Sequence, residues 1–128
     1  MGKYEPKGSI LFVGDIQGCA KELRHLLKVA NYQPTLHQLI PLGDTVNRGP
    51  ESLDVLRILS DQGAEPIKGN HEYFLLQGLK GEKSPKWLKK QTFIQDLRKS
   101  NGAHRWLEWM NSWPTSIAGQ GWLAVHAG

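Results

Sequence analysis

The chain has 128 residues, 39% of them hydrophobic and 22% charged, with 14 Gly, 7 Pro and a formal net charge of +4. That size fits one domain spanning 1–128, and the composition excludes collagen, coiled coil and frank disorder. Apolar runs such as Ile10-Leu11-Phe12-Val13 stay far below the ~18 residues of a membrane helix, so no membrane partner is expected.

The first half alternates strand and helix patterns, the signature of an α/β fold with a parallel sheet and crossover helices. Ser9 to Val13 reads as a buried strand ending at Gly14-Asp15. From Ala20 to Ala30, the residues Ala20, Leu23, Leu26, Leu27 and Ala30 follow helical spacing. Leu39 to Leu42 reads as a second strand, made irregular by Pro41, which cannot donate to a ladder. It ends at Gly43-Asp44. Pro50 suits the first turn of a helix whose face carries Leu53, Leu56 and Leu59 until Gly63 stops it. Ala64 to Lys68 is a short third strand with Pro66 in it, ending at Gly69-Asn70, and a helix follows from Glu72 to about Lys80.

The second half opens with a basic, Gly-containing loop from Gly78 to Pro85. Trp87, Ile94 and Leu97, then Trp106, Leu107, Trp109 and Met110, predict two short amphipathic helices forming a small cap beside the sheet. Ser116 to Ala118 and Trp122 to Val125, joined by Gly119-Gln120-Gly121, read as a C-terminal hairpin running into His126-Ala127-Gly128.

The single Cys19 cannot form an internal disulfide, which agrees with a reducing compartment. Met1-Gly2 is followed by Pro6 where a myristoylation signal wants Ser or Thr, and the apolar stretch of a secretory signal is missing. A cytoplasmic location is expected. Lys80, Lys83, Lys86, Lys89, Lys90, Arg98 and Lys99 carry much of the positive charge and read as a solvated face. No motif points to specific nucleic-acid binding. Cys19 reads as a packed thiol, and His25, His37 and His104 as surface residues. Trp106, Trp109, Trp113 and Trp122 read as core and cap packing rather than a base-stacking platform, and Glu72 as a helix-dipole residue.

Three successive strand ends carry Gly followed by a carboxylate or amide: Gly14-Asp15, Gly43-Asp44 and Gly69-Asn70. In open α/β sheets the carboxyl ends of the strands line one crevice, so these side chains should converge. Together with the imidazole of His126 they offer hard oxygen and borderline nitrogen ligands to a divalent metal.

The segments GDIQG (Gly14 to Gly18), GDTVNRG (Gly43 to Gly49), GNHE (Gly69 to Glu72) and VHAG (Val125 to Gly128) resemble the successive signature blocks of calcineurin-like metallophosphoesterases. GDIQGC, the run from Asn47 to Arg57 and the WLAVHAG ending are more similar to the symmetrical diadenosine tetraphosphatase branch than to serine/threonine protein phosphatases, which usually carry Asp where this chain has Asn47. The resemblance runs from about Ile10 to Gly128 and matches about the first half of the family's domain, so the fold is expected to be a truncated metallophosphoesterase sheet.

The resemblance implies two divalent metal ions under a bridging carboxylate, sharing a water or hydroxide that attacks phosphorus. By position Asp44 is the bridge, Asp15 binds the first ion, and Asn70 and His126 bind the second. Arg48, with Asn47 beside it, would hold phosphate oxygens through its guanidinium fork, and His71 would donate a proton to the leaving oxygen. Most of the superfamily carries His where this chain has Gln17. An amide oxygen there tilts the expected metal toward Mn²⁺, ahead of Co²⁺, Fe or Mg²⁺. The implied reaction is hydrolysis of a dinucleoside polyphosphate, diadenosine tetraphosphate giving two ADP. The alternatives are a serine/threonine phosphoprotein phosphatase acting on a phosphoprotein, or an inactive fragment that binds metal and phosphate. An exposed sheet edge would also allow a homodimer.

Overall fold

A computed structural model describes residues 8–126; Met1-Gly2, Pro6 and the Ala127-Gly128 end of the VHAG block lie outside the described residues. Strand β1 (Ile10–Val13) pairs in parallel with β2 (Gln38–Pro41), Leu11 opposite Leu39 and Val13 opposite Pro41. Helix α1 (Ala20–Val29) makes the crossover between them. Its face of Ala20, Leu23 and Leu27 packs with Val13, Leu39, Val55 and Leu59 into one core cluster. Helix α2 (Ser52–Asp61) supplies the last two of these, and starts just past Pro50, with Glu51 at the N-cap. Side chains alternate faces along a strand, so Ile40 turns to the opposite side of β2, where it packs with Ile67, Ile117 and Ala124.

The expected third strand, Ala64 to Lys68, does not form a ladder. The segment does run beside β2: the backbone N–H of Glu65 donates to Leu39 O at 2.9 Å and that of Ile67 to Pro41 O at 2.8 Å. A parallel ladder also needs the N–H of Pro41 to return a bond to Glu65 O, and proline has none. Pro66 removes a further donor. Its backbone bonds to β2 run one way only, backed by the Gln38 side chain, whose Nε2 donates to Glu65 Oε1 at 3.0 Å.

Helix α3 (Asn70–Gln77) starts two residues earlier than expected and continues into a wide helical turn, Gly78–Glu82, closed by Gly81 at φ 88°. The cap then contains three helices rather than two: α4 (Pro85–Lys89), α5 (Thr92–Arg98) and α6 (Ala103–Ser112). Ser84 caps α4 by accepting from the N–H of Trp87 at 3.1 Å, and Pro85 sits in its first turn. Phe93, Ile94 and Leu97 of α5 and Trp106 and Met110 of α6 close over Val46, Leu56 and Leu75 in the largest cluster. Trp106, Trp109 and Trp113 belong there, Trp109 and Trp113 edge to face at 5.2 Å between centroids. Strands β3 (Ser116–Gly119) and β4 (Trp122–Val125) form the expected antiparallel hairpin, tied to the rest where Lys68 N–H donates to Pro114 O at 2.8 Å. Among the described residues no helix is long and apolar enough to cross a membrane.

Candidate functional site

Asp15 follows β1, Asp44 follows β2 and His126 follows β4, all at the carboxyl ends of their strands. Two loops carry the first two residues, and both hold their backbones in the left-handed region: Asp15 at φ 43°, Gln17 at 49°, Asp44 at 52°, Asn47 at 78° and Arg48 at 68°. Asn31 is the one other non-glycine residue with positive φ among those described. Such conformations cost of order 1 kcal/mol or more each, so surrounding contacts must impose them. The loops impose them on each other. Gln17 N–H donates to Asp44 O (2.9 Å), Gly18 N–H to Thr45 O (3.0 Å) and Gly49 N–H to Gln17 O (2.8 Å).

The Gly in front of each ligand position has a definite use at two of them. Gly43 adopts φ 99°, and a Cβ there would lie 2.6 Å from His126 Nδ1 and 2.8 Å from Gly69 Cα. A Cβ on Gly69 would meet the backbone N of Asp44 and stand 2.7 Å from its Oδ1. Removing both side chains lets the end of β2 touch the segment leading into α3, and so brings Asp44 beside α3.

Asp44 is 9% exposed. Its Oδ1 accepts from the backbone N–H of His71 at 2.9 Å, and its Oδ2 lies 3.4 Å from His126 Nε2. His126 Nδ1 is 2.8 Å from Leu42 O. A carbonyl oxygen only accepts, so that contact puts the proton on Nδ1 and leaves Nε2 to face the carboxylates. Asp15, Asp44 and His126 each offer one ligand atom, all within 4.8 Å of one another. Two carboxylate oxygens and one oriented imidazole nitrogen fit a divalent first-row ion, and the backing hydrogen bond on Nδ1 is the usual support of a metal-binding histidine.

Glu72 is fully buried and holds the site from beneath. One oxygen accepts from Gly69 N–H at 2.9 Å, the other from Thr45 N–H at 3.0 Å and Val46 N–H at 3.4 Å. It thereby ties the loop after β2 to the start of α3. Burial pushes its carboxyl up to about 7, with the charge of Asp44 adding to the rise and the three N–H groups opposing it. Glu72 stands in the first turn of α3, as the sequence suggests, and its side chain is in addition the link between two ligand-bearing segments. The spacing of Glu72 three residues after Gly69, as in a capping box, was the available signal.

A cavity of about 720 Å³ reaches Asp44, and its lining also includes Arg48, Asn70, His71, Phe74, Trp87 and Lys90. Arg48 is exposed, and Asn70 stands exposed at the first residue of α3. His71 is half-buried, and its Nδ1 is buried without a hydrogen-bond partner. Asn47, expected to face substrate, also lines the cavity but is 7% exposed, and its amide is committed to the cap. Nδ2 donates to Gln91 Oε1 at 2.8 Å, while Oδ1 accepts from Phe93 N–H and Thr92 Oγ1, both at 3.2 Å. Gln17 enters through its backbone bonds to Asp44 and Gly49.

The family model described as calcineurin-like phosphoesterase matches residues 8–128. The chain belongs to the calcineurin-like phosphoesterase family. A protein of Chromobacterium violaceum named as a symmetrical bis(5'-nucleosyl)-tetraphosphatase is 35% identical over 123 residues, covering 94% of this chain and 43% of the relative. One of the same name from Aeromonas hydrophila is 41% identical over 105 residues, covering 80% and 37%. A solved structure described as "a putative diadenosine tetraphosphatase" superposes with a TM-score of 0.72 at 28% identity, covering 98% of this chain and 55% of that one. This phosphoesterase chain therefore spans less than half the length of these curated relatives. The family implies divalent metal ions, and the Asp15, Asp44 and His126 cluster is where this calcineurin-like chain has donors for one.

Two further features of the calcineurin-like site lay outside the sequence reading. Lys90, assigned to a solvated face, lines the cavity, and Lys83 lies over the rings of Phe74 and Trp87, 5.0 and 5.6 Å from their centroids. Trp87 is a cavity wall, whereas the four other tryptophans do not line it.

Proposed function

We propose that this chain is a metal-dependent phosphohydrolase that cleaves the central phosphoanhydride of a dinucleoside polyphosphate, diadenosine tetraphosphate plus water giving two ADP. The observation that carries it is the convergence of Asp15, Asp44 and His126, with Asp44 also lining the cavity that Arg48 and His71 line. The names of the relatives support the choice of substrate. Asp15, Asp44 and His126 would hold an ion, with Asn70 and the amide of Gln17 as further candidates; Mn²⁺ suits such oxygen-rich ligands. When bound, divalent ions lower the pKa of a water and neutralise phosphate charge, which permits in-line displacement without a covalent enzyme intermediate.

The remaining steps fall to the chain's own groups. Arg48 holds non-bridging phosphate oxygens through a bidentate fork. Water oxygen bonds to one phosphorus and gives up a proton to solvent as the bridging P–O bond breaks; the leaving oxygen takes a proton from His71, which solvent restores. His71 is steered to this position because its own backbone N–H is fixed on Asp44.

Incubating the chain with diadenosine tetraphosphate and Mn²⁺ and separating products by chromatography tests the reading. Metal-dependent ADP is the expected product. A chain that binds Mn²⁺ and phosphate but produces no ADP would be a binding module instead. For His71→Ala, the rate loss should be about a hundredfold with alkyl phosphates, whose leaving oxygen needs a proton, and much smaller with p-nitrophenyl phosphate. Equal losses on both would remove His71 from the proton transfer.

A further inference from the structure

Two aromatic side chains that line the cavity, Phe74 and Trp87, have no part in the chemistry above. Phe74 comes from the outer face of α3 and is 41% exposed; Trp87 comes from α4, a helix with no buried residue. Phe74 is left open beside a polar cleft, and Trp87, half-buried against the cap cluster, keeps part of its indole on the same cleft. They are nonetheless firmly seated. Gly78, at the end of α3, gives room for the indole, since a Cβ there would lie 2.7 Å from Trp87 Cζ3, and the Ser84 cap fixes the start of α4. Lys83 Nζ lies over both rings, so the pair already presents π-faces to a charged group.

We infer that Phe74 and Trp87 form a nucleobase-stacking wall, with Lys90 and Arg48 holding the intervening phosphates between it and the Asp44 cluster. The inference rests on the phosphohydrolase reading and supplies what that reading lacks, a means of telling a nucleotide from a bare phosphate chain. A cavity of about 720 Å³ has room for a base and its phosphates. Stacking tolerates any base, because each has a π-face, and it adds affinity without contributing to bond cleavage. It would therefore appear in binding, and in KM rather than kcat.

The test is calorimetric binding of ADP and of methyl diphosphate, which carries the same phosphates without a base, to the whole chain in saturating Mn²⁺. Wild type should bind ADP about tenfold more tightly, in line with one stacked base. Trp87→Ala should abolish that preference while leaving methyl diphosphate affinity unchanged, and Trp87→Tyr, which keeps a ring, should restore most of it. Phe74→Leu, at an exposed position, should reduce the preference severalfold and carries the test if Trp87→Ala does not fold. Equal wild-type affinity for the two probes would overturn the inference and leave the phosphohydrolase reading standing. So would a parallel loss of both probes in folded Trp87→Ala. Failure of wild type to bind either probe would overturn the reading of the site itself.

Discussion

Asp44→Asn should abolish nearly all metal-dependent hydrolysis, by at least about a hundredfold, while the folded structure persists. The fold should survive for two local reasons. Asparagine tolerates the left-handed backbone that Asp44 adopts at φ 52°, and its remaining oxygen can still accept from the His71 N–H that now bonds Oδ1. The loss falls on charge. The carboxylate facing His126 Nε2 at 3.4 Å becomes a neutral amide, and the cluster keeps only Asp15 as an anion. Mn²⁺ titration by calorimetry should show the weakened site, and a circular dichroism melt should stay within a few degrees of wild type. A variant that kept wild-type turnover would sink the assignment of Asp44 as a metal ligand.

Glu72→Ala should cost about 3–5 kcal/mol of stability, measured by urea unfolding, because it strands the N–H groups of Thr45, Val46 and Gly69 in a site closed to water. Each such orphan costs about 1–3 kcal/mol, and the release of one buried carboxyl offsets part of the sum. Glu72→Gln retains an acceptor oxygen and should lose only about 1–2 kcal/mol. Mn²⁺ affinity should fall alongside stability in the Ala variant, since the loop carrying Asp44 and the helix carrying Asn70 lose their common anchor. An Ala variant as stable as wild type would mean that Glu72 does not hold the two segments together.

The parts of the fold legible in the sequence were those whose burial follows a simple period. Helix α1 has Ala20, Leu23 and Leu27 on one face, and its observed end, Val29, differs from expectation by a single residue. The strand that failed, Ala64 to Lys68, failed largely for a pairwise reason: besides its own Pro66, it faces Pro41 on its neighbour, which cannot return the ladder bond. Helix α4 is hard to separate from α5 in the sequence because Pro85–Lys89 has only the adjacent pair Trp87 and Leu88 half-buried, too short for an apolar rhythm. At the site, the Gly-Asp and Gly-Asn repeats announced where ligands would lie. The sequence reading also took Asn47 for a substrate contact, but the amide is consumed by Gln91, Thr92 and Phe93, which lie more than forty positions along the chain and reach it only in three dimensions. Glu72 acts in the first turn of α3 as its position suggests, but its further bonds to Thr45 and Val46 arise only in three dimensions. A fully buried carboxylate contradicts what its residue type does on average.

The carboxylate beneath the site also bears on how often the site opens. Amides in loops usually exchange with deuterated solvent quickly, because small local openings free them. Those of Thr45, Val46 and Gly69 end on Glu72, which joins the loop after β2 to the start of α3. Releasing that loop from α3 parts the Thr45 and Val46 bonds together. Their exchange should therefore be as slow as that of the strand amides of β1 and β2, so that the segments carrying Asp44 and Asn70 come apart only when the domain itself unfolds.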